Sequence, residues 1–185
     1  MKFLYSSSSR FNLANLITFS NIAAGLIATY LISQNIFLWA AFFAWMGGAF
    51  DIMDGKVARK YNLSSEFGIQ LDSFADFLSF VLVPVFFIFQ AIYLTNLSGF
   101  WLFIAGVVSI CYVISGLRRL IEFNINADAG EVEKFFTGVP TPLGAILLWI
   151  FYLGNLAGLF STTSIIILMI ITAWSLNSKI KIPHP

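Results

Sequence analysis

The chain has 185 residues, of which 59% are hydrophobic and only 10% are charged, and its mean hydropathy is +0.88. This composition excludes an ordinary soluble domain and predicts an integral membrane protein with a single domain, residues 1–185. The net charge of +1 argues against a nucleic-acid partner, because binding to a phosphate backbone needs a concentrated basic surface.

Apolar segments of nearly membrane-spanning length follow one another along the chain. A short interfacial segment containing Phe3, Tyr5 and Phe11 is predicted before the first of them. The polar stretch between the second and third segments extends both helices into the aqueous layer. The sequence therefore predicts an all-α membrane protein with six transmembrane helices, at about residues 13–33, 36–60, 70–94, 99–121, 141–159 and 163–178.

Charged residues are confined to one end of these predicted helices. The breaks that follow the first, third and fifth helices contain no charged residue. If the six helices alternate in direction, every lysine and arginine falls on the opposite side of the membrane. By the positive-inside rule that side is cytoplasmic. The sequence thus predicts a multi-pass protein of the cell (inner) membrane, with both termini in the cytoplasm.

Four aspartates stand out near the cytoplasmic ends of the second and third predicted helices. Asp51 and Asp54 are three residues apart and Asp72 and Asp76 are four apart, so each pair shares one helix face. The two helices are consecutive and antiparallel, which allows these faces to meet. Carboxylates at close range need a counter-charge, and oxygen-only ligands favour hard divalent ions such as Mg²⁺, Mn²⁺ or Ca²⁺. Two such ions would balance four carboxylates.

The aspartates could also serve a structural role or a transport role. Ion pairs with Lys56, Arg59 and Lys60 would merely join the helix ends. A cation or proton transporter could also use carboxylates within the membrane. Transporters usually place such a site near the bilayer midplane, between two matched halves. Here the acids lie toward one interface and the sequence has no internal repeat, so the transporter is the weaker alternative.

Small residues surround the aspartates. Gly55 and Ala58 follow the first pair and Gly68 precedes the second, and small side chains let either a ligand or another helix approach closely. The arrangement resembles the signature of the CDP-alcohol phosphatidyltransferase family, with every defining residue and spacing present. It comprises Asp51-Ile-Met-Asp54-Gly55-Lys-Val-Ala58-Arg59, then eight residues, then Gly68-Ile-Gln-Leu-Asp72-Ser-Phe-Ala-Asp76.

The resemblance implies six membrane helices, a homodimer and two divalent ions held by Asp51, Asp54, Asp72 and Asp76. It also implies that an alcohol displaces CMP from a CDP-linked lipid, with Asp76 as the general base. The residues suit that chemistry. Metal ions stabilise negative charge on the attacked phosphate and the leaving group, and a carboxylate within hydrogen-bond reach can accept the hydroxyl proton.

Nucleotide and pyrophosphate contacts are expected at several of the same positions. Asn15 and Thr18 form an Asn-x-x-Thr pattern that resembles the family's nucleotide contact, although Ala14 stands where a proline is usual. Thr18 could instead form an interhelical hydrogen bond, and Arg59 could be an interfacial arginine that packs its stem in the apolar layer. The expected contacts are Thr18, Gly55, Ala58, Arg59 and Gly68.

Further segments resemble the phosphatidylserine synthase branch of the family, and this resemblance covers roughly residues 10–145. It implies CDP-diacylglycerol, held among membrane lipids, as donor and L-serine as acceptor. The matching segments are Ser65-Glu66-Phe67, Ser79-Phe80 with Pro84, Phe123-Asn124, and Phe136-Thr-Gly138-Val-Pro140-Thr-Pro142. Contacts with serine or phosphate are expected from Ser73, Arg118, Arg119, Asn124 and Lys134, although the cations among them could equally serve as positive-inside topology markers.

Two residues depart from the pattern of this branch. Glu122 occupies the place of the second arginine in Arg-Leu-Ala-Arg-Phe-Asn, and Val81 occupies the place of a glycine. The first departure removes a cation that could hold a carboxylate or a phosphate. Another acceptor, such as glycerol phosphate or an inositol phosphate, therefore stays open, although a phosphorylated acceptor would favour more cationic residues than this chain offers.

Overall fold

The structure is a computed structural model that describes residues 2–128, 135–178 and 181–183. Six helices account for most of this part of the chain, as predicted for an all-α membrane protein. They are α1 (Leu13–Ser33), α2 (Phe37–Tyr61), α3 (Glu66–Asn96), α4 (Gly99–Asp128), α5 (Thr141–Leu156) and α6 (Thr162–Leu176).

Three of the helices, α1, α3 and α4, are long and apolar enough to cross a bilayer. The remaining three are shorter or more polar. Helix α2 has 25 residues but carries Asp51, Asp54 and three cations in its second half, whereas α5 and α6 have 16 and 15 residues, fewer than the ~20 that span the hydrocarbon. The number of helices is confirmed for the described residues. That all six cross the membrane stays a prediction.

Helix α3 begins at Glu66, four residues before the predicted start near residue 70. The hydroxyl of Ser65 accepts a hydrogen bond from the Gly68 backbone N–H at 3.1 Å, which caps the first turn. Further along, the helix widens into π-helical turns at Phe77–Leu82 and Phe89–Tyr93. Pro84 follows the first of these. Because proline lacks an N–H and collides with the carbonyl four residues earlier, a widened turn accommodates it.

The described chain divides into two compact units, one ending at Ser79 and the other beginning at Phe80. The first contains α1, α2 and the start of α3. Alanines and glycines line the contact between α1 and α2, and small side chains allow the two backbones to approach closely. The fully buried members include Ala24, Ala28 and Ala40.

The segment before α1 packs on the turn between α2 and α3. It starts with a short 3₁₀ turn at Lys2–Tyr5. The ring of Tyr5 meets the ring of Tyr61 edge to face, with 5.3 Å between centroids, and the guanidinium of Arg10 lies 5.8 Å from the centre of the Phe67 ring. Tyr5 itself is more than half exposed, which suits the predicted interfacial segment.

The second unit contains the rest of α3 together with α4, α5 and α6. Phe87 is buried against Trp149 and Tyr152, with ring centroids 4.7 and 4.8 Å away. Val81, the residue that replaces a glycine of the resembled branch, is buried against Gly116 of α4. A Cβ atom at position 116 would lie 2.7 Å from both Cγ atoms of Val81. The larger side chain is thus accommodated by a small residue opposite.

Two three-residue strands were not predicted. The strand β1 (Phe135–Thr137) pairs antiparallel with β2 (Lys181–Pro183), so that Phe136 is opposite Ile182. Gly138 follows β1 with a φ of +87°, and a Cβ there would lie 2.7 Å from the Leu176 carbonyl oxygen. Glycine is therefore required by both conformation and space. Strands this short have too few residues for an alternating pattern to reveal them.

Candidate metal and nucleotide site

Three of the four aspartates converge between α2 and α3. One carboxylate oxygen from each of Asp51, Asp72 and Asp76 lies within 4.8 Å of the others. The carboxyl groups of Asp51 and Asp76 are within hydrogen-bonding reach of each other. The Oδ1 atom of Asp76 is buried and has no hydrogen-bond partner among the described residues. The predicted meeting of the two helix faces is present in the structure.

Asp54, the fourth aspartate, is held by a residue of α1. Its side chain is only 3% exposed, and its Oδ2 accepts a hydrogen bond from the Thr18 hydroxyl at 2.7 Å. Both Asp54 and Asp72 also line a pocket that opens beside the cluster. Asp54 therefore connects the carboxylate cluster to the pocket.

The donor set fits a hard divalent cation. Each contributing atom is a carboxylate oxygen, the kind of ligand that Mg²⁺ and Mn²⁺ prefer. Within the described ranges, the side-chain contacts found for these aspartates are the hydrogen bond from Thr18 to Asp54 and the approach of Asp51 to Asp76. Lys60 instead lies 5.5 Å from the centre of the Tyr61 ring. The alternative in which the aspartates merely pair with Lys56, Arg59 and Lys60 gains no support from these contacts, and clustered negative charge needs a counter-ion.

The adjoining pocket has a volume of about 160 Å³. Its walls come from α1, the second half of α2, the turn after α2 and the first half of α3. All five positions predicted to contact nucleotide or pyrophosphate face it. The lining residues are Ala14, Asn15, Thr18, Asp54, Gly55, Ala58, Arg59, Leu63, Ser64, Ser65, Gly68, Ile69 and Asp72.

Two glycines of the pocket have different neighbours. A Cβ on Gly68 would lie 2.9 Å from the Asn15 Oδ1 and 3.2 Å from the Ser65 hydroxyl oxygen. A Cβ on Gly55 would meet only the guanidinium of Arg59, at 3.5 Å or more. Gly68 is therefore required by packing within the protein, whereas Gly55 leaves an opening that the flexible Arg59 side chain covers.

The pocket wall that contains Leu63 is joined to the start of α1 by Asn12, a residue that was not predicted from the sequence. Asn12 is fully buried. Its Oδ1 caps α1 by accepting from the Asn15 backbone N–H at 2.9 Å, and its Nδ2 donates to the Leu63 carbonyl at 3.2 Å. An asparagine just before an apolar run is an N-cap pattern and could have been recognised. The bond to Leu63, which lies 51 residues further along the chain, could not have been predicted from the sequence.

The residues expected to contact serine are less closely gathered. Ser73 donates its hydroxyl to the Ile69 carbonyl on its own helix, at 3.0 Å. Arg118, Arg119 and Asn124 all lie on α4, in the second unit, where Arg118 is exposed and Arg119 is only 6% exposed. Lys134 lies outside the described residues. A serine pocket built from these residues stays a prediction.

Comparison with known sequences identifies the class of protein. Residues 11–176 match the family model described as CDP-alcohol phosphatidyltransferase. This match covers most of the chain and includes α1 to α6 with all four aspartates. The chain belongs to the CDP-alcohol phosphatidyltransferase family.

Individual relatives show which members of this family the chain is similar to. The chain is 34% identical over 134 residues to CDP-diacylglycerol--serine O-phosphatidyltransferase of Helicobacter pylori, covering 72% of this chain and 54% of that relative. It is 33% identical over 175 residues to the enzyme of the same name from Bacillus subtilis, covering 91% and 88%. Archaetidylserine synthase of Methanothermobacter thermautotrophicus is 30% identical over 174 residues, covering 93% and 70%. The chain thus spans about half the length of the Helicobacter relative.

Proposed function

We propose that this protein transfers the phosphatidyl group of CDP-diacylglycerol to the hydroxyl of L-serine, forming phosphatidylserine and releasing CMP. The observation that carries the proposal is the junction of a carboxylate cluster with a pocket lined by the family's signature residues. The names of the relatives support the acceptor. Those in bacteria and in the archaeon share serine in their names, although the lipids named differ.

We assign Asp51, Asp54, Asp72 and Asp76 to two divalent cations, Mg²⁺ or Mn²⁺, with Ca²⁺ as an alternative occupant in a crystal. When bound, the cations stabilise the negative charge that develops on the transferred phosphate and on the leaving CMP. The Oδ1 of Asp76 is buried and has no partner among the residues that the structure describes, which supports its assignment as the general base. An oxygen without a competing donor is available to accept the hydroxyl proton of the acceptor.

The pocket beside the cluster is assigned to the nucleotide and its pyrophosphate. Thr18, Gly55, Ala58, Arg59 and Gly68 are the proposed contacts, and each of them lines it. The hydroxyl of Thr18 supports Asp54 in this scheme, and Arg59 supplies a cation to the pyrophosphate. Ser73, Arg118, Arg119, Asn124 and Lys134 are proposed to contact serine or the lipid phosphate.

The proposal also gives the protein an orientation and an assembly state. The distribution of lysine and arginine supports an inner-membrane protein with both termini and the acidic cluster on the cytoplasmic side. That placement would let soluble serine reach the site while the acyl chains of the donor stay in the bilayer. The family resemblance supports a homodimer, which cross-linking in native membranes would test.

An acceptor panel tests the proposed function. Purified protein in detergent with Mn²⁺ or Mg²⁺ and CDP-diacylglycerol should release CMP when L-serine is added, and labelled serine should appear in a lipid product. Glycerol phosphate and an inositol phosphate are the comparison acceptors, because Glu122 replaces an arginine of the serine branch. Turnover with one of them and none with serine would reject the acceptor. The same panel run with CDP-archaeol in place of CDP-diacylglycerol would distinguish a preference for the lipid donor from a preference for the acceptor.

A further inference from the structure

Two buried polar atoms in the first unit lack a hydrogen-bond partner among the described residues, and they are complementary. One is the acceptor Oδ1 of Asp76. The other is the donor Nδ2 of Asn21, on α1. Asn21 is 0% exposed, and an unpartnered buried amide is unfavourable unless a ligand or water satisfies it.

Asn21 lies about one helical turn from residues that form or contact the carboxylate cluster. It follows Thr18 by three residues and so shares a face of α1 with the residue that contacts Asp54. Its side chain meets Ser79 of α3, which follows Asp76 by three residues. Both of these α3 side chains face α2, Asp76 at Asp51 and Ser79 at Gly47, where a Cβ would lie 3.2 Å from the Ser79 hydroxyl oxygen. The third wall is Gly47 of α2, four residues before Asp51, where a Cβ would lie 3.0 Å from the Asn21 Oδ1.

The contact with Ser79 defines which end of the amide is available. The Ser79 hydroxyl oxygen and the Asn21 Oδ1 are 2.5 Å apart. A separation this short is typical of an O–H donor and is too short for an N–H donor. The Asn21 Oδ1 is therefore the acceptor for the Ser79 hydroxyl, and the Nδ2 group is left without a partner among the described residues.

We propose that Asn21 is an acceptor-binding residue, whose Nδ2 donates to the attacking oxygen of the alcohol while Asp76 Oδ1 accepts its proton. A hydroxyl is suited to this pair because it both donates and accepts a hydrogen bond. The inference rests on the proposed transfer reaction. It adds a residue from α1 that the family signature does not contain.

The transfer conserves protons and electron pairs. The alcohol proton moves to Asp76 Oδ1 as the alcohol oxygen forms a bond to the phosphorus of the lipid phosphate. The bond from that phosphorus to the bridging oxygen breaks, and the electron pair leaves with CMP. The Asn21 amide keeps its protons throughout. Its contribution is to orient an oxygen lone pair toward the phosphorus.

Two substitutions separate this role from a structural one. Asn21→Asp keeps the shape of the side chain and an oxygen for the Ser79 hydroxyl, but has no N–H₂ group. Asn21→Leu removes both polar atoms without adding a charge. Ser79→Ala is the matched control, because it removes the bond seen in the structure and leaves the Asn21 amide in place.

The measurements are kcat and KM for serine, at saturating Mn²⁺ and CDP-diacylglycerol, and the affinity for CDP-diacylglycerol. Both Asn21 variants should lower kcat/KM for serine by about 10- to 100-fold. This is the loss expected when the attacking oxygen, which carries partial negative charge as its proton leaves, loses a hydrogen bond. Donor affinity should stay within about twofold, because the pocket residues are unchanged. Ser79→Ala should lower kcat/KM by about threefold or less.

Three results would overturn the inference. The first is an Asn21→Asp protein with kcat/KM for serine near that of the wild type. The second is a Ser79→Ala protein as impaired as both Asn21 variants, since the bond between the two side chains would then be what matters. The third is loss of donor binding in both Asn21 variants, which would make Asn21 a support of the fold. A wild-type protein that releases no CMP with any alcohol would instead reject the proposed function, and the role of Asn21 with it.

Discussion

Thr18 of α1 donates its hydroxyl to Oδ2 of Asp54 on α2, with 2.7 Å between the two oxygens. Both side chains are buried, at 3% exposure each. This hydrogen bond joins two residues that are 36 positions apart and brings the first helix into the acidic site. The interhelical hydrogen bond considered for Thr18 is therefore present, and Thr18 also lines the pocket. Its contact with the nucleotide stays a prediction.

Replacing Thr18 with valine should weaken use of the nucleotide donor. Valine has the same shape but leaves Asp54 without its hydroxyl donor, and a hydrogen bond to a charged group contributes about 1.5–3 kcal/mol. We expect kcat/KM for CDP-diacylglycerol to fall about 10- to 100-fold on that basis. Thr18→Ser keeps the hydroxyl and is the control. Equal losses in the two variants would show that the methyl group, not the hydrogen bond, is important.

Asp76→Asn should abolish turnover while the protein remains folded. The amide cannot accept the hydroxyl proton, and loss of a general base typically lowers rates by about 10²- to 10⁴-fold. The readout is CMP release together with the thermal unfolding midpoint in detergent. Glu66→Gln makes the same chemical change at an exposed position of the same helix and should retain activity. A nearly normal rate for Asp76→Asn would remove the base assignment.

Removal of divalent cations should stop CMP release and lower the unfolding midpoint. With three carboxylate oxygens within 4.8 Å of one another, the bound ions relieve a repulsion that otherwise opposes folding. Purified protein treated with EDTA is compared with the same sample after Mn²⁺ or Mg²⁺ is restored, with Na⁺ at equal ionic strength as control. Stability that does not respond to divalent ions would contradict a metal site.

Gly68→Ala should raise KM for CDP-diacylglycerol more than Gly55→Ala does. The new methyl group at position 68 would press on the Asn15 side chain at 2.9 Å, whereas that at position 55 would meet only the flexible end of Arg59. Overpacking of this kind costs about 1–3 kcal/mol. Serine KM is the internal comparison and should change less. A larger effect at position 55 would contradict the conclusion that the Asn15 side chain confines Gly68 more tightly than Arg59 confines Gly55.

Gly116→Ala should destabilise the second unit. Its Cβ would lie 2.7 Å from two stiff methyl groups of Val81, which predicts a loss of about 1–3 kcal/mol. Gly106→Ala, on the same helix, is the matched control. There the nearest atom is a ring carbon of Phe89 at 3.8 Å, so the better helix propensity of alanine should leave the unfolding midpoint equal or higher. Val81→Ala should rescue Gly116→Ala in part.

The membrane class, the number of helices and the neighbourhood of the four aspartates were predictable because each follows from local patterns. Hydropathy over about 20 residues identifies a helix in a bilayer, and a spacing of three or four places Asp51 beside Asp54 on one face. The positions of the helix ends were predicted less accurately. The start of α3 depends on one capping hydroxyl, that of Ser65, and nothing in the apolar pattern marks it.

The bonds that join distant segments required the folded chain. Asn12 meets Leu63 and Asn21 meets Ser79 only after α1 packs against α2 and α3, and no periodicity along the sequence encodes which side chains will then face each other. The same is true of the unpartnered Nδ2 of Asn21. Composition and spacing were enough to place acids, small residues and helices, because these depend on neighbours a few residues away. The partner of each buried polar atom depends on how three helices pack together, because that packing sets which atoms are close enough to bond.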